Sequence, residues 1–180
     1  MKKSKKYLVL AIISFFIISI LGTLLHFTYE TSNENVIVGI FSAVNESVWE
    51  HLKLIVIPML IVSIYEYKFL KDNNNFFFSM LIRILVGMGS IVLIYNLGNL
   101  VFGRNIDIIN ISSYYISIFI AQIIWYILML KISIAQIINN ISLVIMWVII
   151  LLFVVFTFIP PRIELFKDNT NNTYGIFENI

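Results

Sequence analysis

The sequence predicts an all-α integral membrane protein with about five transmembrane helices and its N-terminus inside. Of its 180 residues, 60% are apolar and 12% are charged, whereas a soluble domain is about 45–50% apolar and about 25% charged. The mean hydropathy is +0.95. A bilayer core about 30 Å thick needs about 20 mostly apolar helical residues, so a chain of this length is expected to form one helical membrane domain over residues 1–180.

The apolar residues fall into five stretches long enough to cross a bilayer. The predicted spans cover residues 7–29, 48–67, 76–102, 111–130 and 134–159, and a polar tail covers 160–180. The first span follows KKSKK, but it is too long for a signal peptide and lacks a small-residue cleavage site, so it is expected to be retained. Residues 36–41 are apolar but too few to span, and Pro58 is expected to kink the second span.

Lysine and arginine set the predicted orientation, because these residues concentrate on the inner side of a membrane. With the N-terminus inside, eight basic residues fall inside and four outside. The inner set is Lys2, Lys3, Lys5, Lys6, Lys68, Lys71, Arg83 and Lys131, and the outer set is Lys53, Arg104, Arg162 and Lys167. The abundance of Ile, Asn, Lys and Phe is typical of AT-rich bacterial genomes, so the predicted location is a bacterial cell membrane, with the lipid bilayer as partner.

Composition also excludes several kinds of function. The chain has no cysteine, which rules out disulfides, thiolate metal sites and cysteine nucleophiles. The net charge of +2, without a basic stripe, argues against nucleic-acid binding. Neither a serine nucleophile elbow nor a glycine-rich phosphate loop is present.

A polar cluster interrupts the apolar pattern in SAVNESVWEHLKLIVIP, residues 42–58. If residues 45–58 form a helix, its polar side chains share an arc of about 160°. A charge facing hydrocarbon costs at least about 2.5–3.5 kcal/mol, so this face is expected to line a pocket at the outer end of the bundle. The polar residues of the segment are Asn45, Glu46, Ser47, Glu50, His51 and Lys53, and those expected to join them from other spans are His26, Tyr95, Asn96 and Asn99.

Three interpretations of this cluster remain open. In the first, His26, His51 and one of Glu46 or Glu50 bind a divalent metal such as zinc as a His₂-carboxylate set. In the second, His51 is a general base oriented by a carboxylate, so that Glu46, Glu50 and His51 are catalytic. In the third, the cluster is structural: Ser47 and Glu50 form an S-x-x-E capping box, and Lys53 pairs with Glu46 or Glu50.

These interpretations correspond to three classes of function. A membrane-embedded enzyme of the hydrolase type would use the metal or the general base. A non-catalytic membrane subunit would use the cluster only to cap a helix and dock a partner. A small proton-coupled transporter would need a polar path to the inner side, where the spans offer little beyond Glu66, Gln122 and Gln136.

Two segments also resemble a known family. FSAVNESVWEHLKL contains an N-E-S-x-W-E-H-L-K motif at residues 45–53, and PPRIELFKDNTNNTYGI follows at the C-terminus. Together they resemble a family of small bacterial multi-pass membrane proteins catalogued as a domain of unknown function. Where the tail pattern of that family has a glycine before Tyr-Gly, this chain has Asn172 or Thr173. The resemblance implies a membrane protein and no particular activity.

Overall fold

The computed structural model describes residues 2–102, 107–168 and 170–178, and Arg104, used above in the charge count, lies outside them. Six α-helices and one short 3-10 helix make up its regular structure. They are α1 (Lys3–Thr31), α2 (Val36–Gly39), α3 (Val48–Leu70), α4 (Phe76–Phe102), α5 (Asp107–Lys131), α6 (Gln136–Phe158) and the 3-10 helix Glu164–Phe166. In these described ranges the only β pairing is an isolated antiparallel bridge between Lys167 and Tyr174.

Five of the helices, α1, α3, α4, α5 and α6, are long and apolar enough to cross a membrane. The prediction of an all-α membrane protein with five spans is therefore confirmed, and each span begins and ends within four residues of its predicted boundary. The helices alternate in direction. We call the end of the bundle that carries residues 32–47 and the tail after α6 the site end. The opposite end, which carries residues 71–75 and 132–135, is called the turn end.

Packing follows the apolar composition of these helices. Helix α1 packs on α3 and α5, and α4 packs on α3, α5 and α6. Fully buried residues such as Ile18, Ile55, Met59 and Ile118 form the centre. Apolar side chains also cover the outside of the bundle, as expected where the surrounding solvent is lipid.

Helix α3 continues through Pro58, the only proline inside it. A proline has no N–H, so the carbonyl of Leu54, four residues earlier, loses its helical partner. The hydroxyl of Tyr114 donates to Ile18 O at 2.9 Å and lies 3.3 Å from Leu54 O. A Cβ at Gly22 would lie 1.9 Å from that hydroxyl oxygen. Glycine therefore lets the tyrosine reach the carbonyl that the proline leaves without its usual donor.

A buried ion pair joins four helices nearer the turn end. Arg83 of α4 donates to both carboxylate oxygens of Glu66 on α3, at 2.9 and 2.8 Å, and both side chains are 0% exposed. Ser14 of α1 donates to Glu66 at 2.6 Å, and Arg83 also donates to Gln122 of α5 at 3.2 Å. The Arg83 guanidinium lies 5.1 Å from the ring centre of Trp125. Arg83 is one of the eight basic residues counted on the inner side, but its charge is neutralised inside the bundle.

Asparagines close the turn end. Asn75 donates to the carbonyls of Leu128 and Ile132 at 2.9 and 2.7 Å, and Asn74 donates to Ile134 O at 2.9 Å. Leu128 lies in the last turn of α5, and the carbonyls of Ile132 and Ile134 belong to the connection that follows it. The turn between α3 and α4 thereby fixes the short connection between α5 and α6.

The ion pair gives a stability prediction. Replacing only one partner, as in Glu66→Leu, leaves Arg83 buried without its counter-ion and is expected to lower the free energy of unfolding by about 3–5 kcal/mol. The double variant Glu66→Leu with Arg83→Met is expected to lose much less, because no charge then remains buried. Unfolding in denaturing detergent, followed by circular dichroism, measures both. A double variant as unstable as the single one would contradict the prediction.

Candidate functional site

The site begins with the loop between α1 and α3, which Ser42 fixes to the end of α1. The Ser42 hydroxyl donates to Leu25 O, and it accepts from the backbone N–H of Tyr29 at 3.1 Å and from the hydroxyl of Thr28 at 3.0 Å. Residues 43–47 then lead directly into α3. The C-terminus of one span and the N-terminus of the next are therefore held at one end of the bundle.

Glu50 and Lys53 form a buried ion pair beneath this loop. Lys53 Nζ lies 2.5 Å from Glu50 Oε2, and the two side chains are 0% and 2% exposed. Lys53 also donates to the carbonyls of Gly39 and Ser42 at 2.8 and 3.1 Å, and the Glu50 carboxylate accepts from Val44 N at 3.1 Å. Both members of the pair thus form hydrogen bonds to the backbone of the loop.

Helix α3 begins at Val48, where the predicted second span begins, and not at residue 45, from which the polar arc was drawn. Asn45 to Ser47 belong to the loop because their backbone polar groups bond to nearby side chains. The Ser47 hydroxyl accepts from Glu50 N at 3.3 Å, which confirms Ser47 as the N-cap. The return bond of the capping box is not formed. Asn45 Oδ1 accepts from Ser47 N at 3.0 Å instead, while Glu50 bonds to Val44.

Three other polar side chains converge above the ion pair. His26 comes from α1, Glu46 from the loop and His51 from the first turn of α3, and one ligand atom of each lies within 4.8 Å of the other two. His51 Nε2 is 3.4 Å from Glu46 Oε2. The two imidazole ring centres are 5.3 Å apart. We refer to these three residues as the His–Glu–His triad.

The hydrogen bond between His51 and Ser47 determines which ring nitrogen of His51 faces Glu46. His51 Nδ1 lies 2.9 Å from Ser47 O, and because a carbonyl only accepts, Nδ1 must carry a proton. In a neutral ring Nε2 would then point a lone pair at the Glu46 carboxylate, which is repulsive. A metal ion bound to Nε2 would remove the repulsion. With Nδ1 bonded to Ser47 O, Nε2 is therefore the ring nitrogen positioned to bind a metal beside Glu46.

A cavity of about 460 Å³ adjoins the triad. His26 and Glu46 belong both to the triad and to the cavity wall. The full lining is His26, Tyr29, Glu30, Glu34, Ala43, Val44, Asn45, Glu46, Asp168, Asn171, Thr173 and Glu178. The wall therefore combines the end of α1, the loop and the tail.

The tail after α6 folds back over the site end. Phe166 packs on Trp49, with ring centres 4.7 Å apart, and Ile176 N donates to Thr157 O at 2.9 Å. Gly175 has φ +63°, and a Cβ there would lie 2.8 Å from Pro160 Cδ. Asn172, where the family pattern suggested glycine, has φ +60°, a left-handed conformation that asparagine tolerates better than most residues.

Asp168 connects this tail to the triad. Its Oδ1 accepts from the backbone of Thr170 at 2.7 Å and of Asn171 at 3.3 Å, which forms the tail turn. Its Oδ2 lies 3.4 Å from Glu46 N and accepts from that amide. Asp168 is buried, so the tail supports the backbone of one triad residue.

The predicted site residues thus separate into distinct groups. His26, Glu46 and His51 come together, whereas Glu50 and Lys53 pair beneath them. Asn45 and Ser47 shape the loop. The remaining predicted residues, Tyr95, Asn96 and Asn99, lie on α4 and belong neither to the triad nor to the cavity wall. Asn96 bonds to Val92 O of its own helix at 2.7 Å.

Sequence reasoning missed several residues of the cavity wall. Glu30 could have been found, because it follows His26 by four residues and so shares its helix face. Asp168 stood in the tail pattern of the family resemblance, but nothing local connected it with Glu46. Tyr29 and Glu34 carry no distinguishing signal in the sequence.

These features define a class of protein: an all-helical protein with five helices able to cross a membrane and a polar site at one end. The chain belongs to the family described as "Family of unknown function (DUF6512)", which it matches over residues 1–176. This match confirms the resemblance to a family of unknown function. Neither a curated protein nor a solved structure matches the chain.

The contact between Asp168 and Glu46 can be tested by hydrogen exchange. Asp168→Ala removes the acceptor for the Glu46 amide and for the tail turn, so amides in residues 43–50 are expected to exchange at least about tenfold faster, through easier local opening. Exchange measured by mass spectrometry in lipid nanodiscs gives the rates. Glu164→Gln, an exposed change in the same tail, is the matched control. Unchanged exchange in Asp168→Ala would show that the tail does not hold the loop.

Proposed function

We propose that this protein is a membrane-embedded, metal-dependent hydrolase whose metal, zinc or a similar divalent ion, is held by His26, Glu46 and His51. The observation that carries the proposal is the convergence of three ligand atoms within 4.8 Å at the edge of an open cavity. Catalytic zinc sites commonly have three protein ligands of these types and a fourth, open position.

One pair of ligand atoms already has the spacing of a tetrahedral zinc site, which supports this assignment. Tetrahedral bonds of about 2.0–2.1 Å place neighbouring ligand atoms about 3.3 Å apart, and His51 Nε2 and Glu46 Oε2 are 3.4 Å apart. The bond between His51 Nδ1 and Ser47 O is the outer-shell contact that commonly orients a metal-binding histidine. Histidine and carboxylate are also the ligands left to a chain without cysteine.

A metal at this position would lower the pKa of a bound water toward neutrality and supply a nucleophile. The protein residues would perform the other tasks. His26 and His51 would hold the ion from two different helices, and Glu46 would complete the set from the loop. The cavity, which shares His26 and Glu46 with the triad, would admit the substrate. Glu50, which the sequence offered as a ligand or catalytic group, is assigned here to the ion pair with Lys53.

The two rival classes receive less support. A structural role explains Glu50 and Lys53, but not why His51 faces a carboxylate. For a transporter, the site and the Glu66–Arg83 pair would have to be connected by polar groups. Within the described residues, α3 places buried apolar side chains from Leu54 to Met59 between them.

Metal content gives the direct test. The purified protein is expected to contain about one zinc per chain, and His51→Ala and His26→Ala are each expected to lose it, since two protein ligands bind zinc much more weakly than three. Elemental analysis after dialysis against a weak chelator measures the stoichiometry. Glu34→Gln, which changes a wall carboxylate outside the triad, is the control and should keep its zinc. A folded wild-type protein that binds no divalent metal would refute the assignment.

We also propose that the turn end faces the cytoplasm of a bacterial cell and that the site faces outside. Lysines support this orientation, since they are concentrated at the turn end: Lys3, Lys5, Lys6, Lys68, Lys71 and Lys131. At the site end Lys53 is neutralised by Glu50, and in the described part of that end only Arg162 and Lys167 remain. The positive-inside rule favours this orientation.

Because the chain lacks cysteine, single introduced cysteines can report the orientation. Ile37→Cys lies at the site end and Lys71→Cys at the turn end, and both positions are exposed. A membrane-impermeant maleimide applied to intact cells is expected to label Ile37→Cys only, and both variants after lysis. Labelling of Lys71→Cys alone in intact cells would reverse the proposed orientation.

A further inference from the structure

We propose that the cavity beside the triad binds a positively charged ammonium group, carried by a small organic amine or by a lipid head group. This inference deepens the proposed function, because it names the class of substrate that the site would accept. It depends on the wall of the cavity, however, and it can be tested without the metal.

The charge of the wall is the first observation. Five carboxylate residues line the cavity, Glu30, Glu34, Glu46, Asp168 and Glu178, and lysine and arginine are absent from its lining. Two nearby cations are already paired with carboxylates, one beneath the loop and one at Glu178 of the wall itself. Lys53 is paired with Glu50 beneath the loop, and Arg162 is 2.6 Å from Glu178.

Of the five carboxylates, Glu30 and Glu34 have no counter-charge among the described residues, whereas the others have partners. Asp168 is surrounded by backbone and side-chain N–H groups, and Glu178 is bound by Arg162 and by Tyr174 N. Neither Glu30 nor Glu34 forms an ion pair with any residue that the structure describes. The charge of a divalent ion in the triad would be balanced mainly by Glu46. Glu30 and Glu34 would therefore still attract a second cation from solution.

The second observation is independent of charge. Tyr29 belongs to the cavity wall and is only 6% exposed, yet its hydroxyl finds no hydrogen-bond partner among the described residues. Buried hydroxyls are normally bonded, so this group lacks what a ligand can supply. An ammonium group has three N–H donors and no acceptor, and it is also attracted to the face of an aromatic ring. A carboxylate pair beside a tyrosine therefore suits an ammonium group.

The dimensions indicate the size of the ligand. Water occupies about 30 Å³ per molecule in the liquid, so a cavity of about 460 Å³ has room for roughly fifteen molecules of that size. This volume suits a small amine or a head group. An acyl chain would find a wall of carboxylates and amides rather than an apolar surface.

Calorimetry with ethanolamine tests the proposal on the full chain in detergent. Saturable binding is expected, with ethylene glycol, its uncharged analogue, showing none. Glu34→Gln and Glu30→Gln are each expected to weaken binding at least about tenfold, and Tyr29→Phe is expected to weaken it too. Glu164→Gln removes an exposed carboxylate outside the cavity and should bind as the wild type does. The proposal would be overturned if ethanolamine did not bind, or if Glu34→Gln and Glu30→Gln bound it as tightly as the wild type does.

Two further arms separate the remaining explanations. If calcium binds to the wild type and ethanolamine neither binds nor competes, the wall is a metal site and the proposal is wrong. His51→Ala is expected to lose zinc and keep ethanolamine binding. The amine-binding result can therefore be interpreted even if the wild-type protein binds no zinc. Conversely, zinc binding without amine binding would refute only the amine site.

The source of the ammonium group can be found in nanodiscs. If a lipid head group occupies the cavity, ethanolamine is expected to bind more weakly in phosphatidylethanolamine nanodiscs than in phosphatidylglycerol nanodiscs, because the lipid competes. Equal affinity in the two lipids would identify a free amine as the ligand. Both results support the ammonium site and differ only in where the amine comes from.

Discussion

The ion pair between Glu50 and Lys53 is the interaction on which the site end depends. Lys53 uses its three donors on Glu50 and on the carbonyls of Gly39 and Ser42. Burying one charge alone would cost several kcal/mol, but here each charge neutralises the other and the remaining donors are satisfied. The pair therefore holds the loop against the end of the bundle through hydrogen bonds to its backbone. The same loop places Glu46 beside the two histidines.

A second pair, Glu66 and Arg83, obeys the same rule nearer the turn end. A bidentate arginine–carboxylate contact is among the stronger charged interactions, and Ser14 and Gln122 contact groups that the pair leaves available. The two pairs differ in what they hold. Glu66 and Arg83 join helices to helices, whereas Glu50 and Lys53 join a helix to a loop. Both buried pairs are neutral as a unit, but Glu50 and Lys53 lie three residues apart on α3, whereas Glu66 and Arg83 come from different helices.

The His–Glu–His triad is different because it contains no lysine or arginine and lies beside a cavity. His26 Nδ1 and the Tyr29 hydroxyl, which belong to residues of the cavity wall, have no hydrogen-bond partner among the described residues. Polar groups that serve only packing are usually bonded. The unpartnered groups that line a cavity are the physical reason for placing function at the site end.

The sequence by itself determined the class of the protein. Its five apolar stretches specify five helices, since a segment that crosses lipid must satisfy its backbone internally, and Ser47 specifies where α3 begins. It also identified His26, Glu46 and His51 as candidates, together with Glu50. The tertiary structure places Glu46, and not Glu50, beside the two histidines, because the loop brings the carbonyls of Gly39 and Ser42 to Lys53, which pairs with Glu50. Only the folded tail, more than a hundred residues later in the chain, brings Asp168 to Glu46. No local pattern can predict such a contact, because it depends on how α6 and the tail pack on the rest of the bundle.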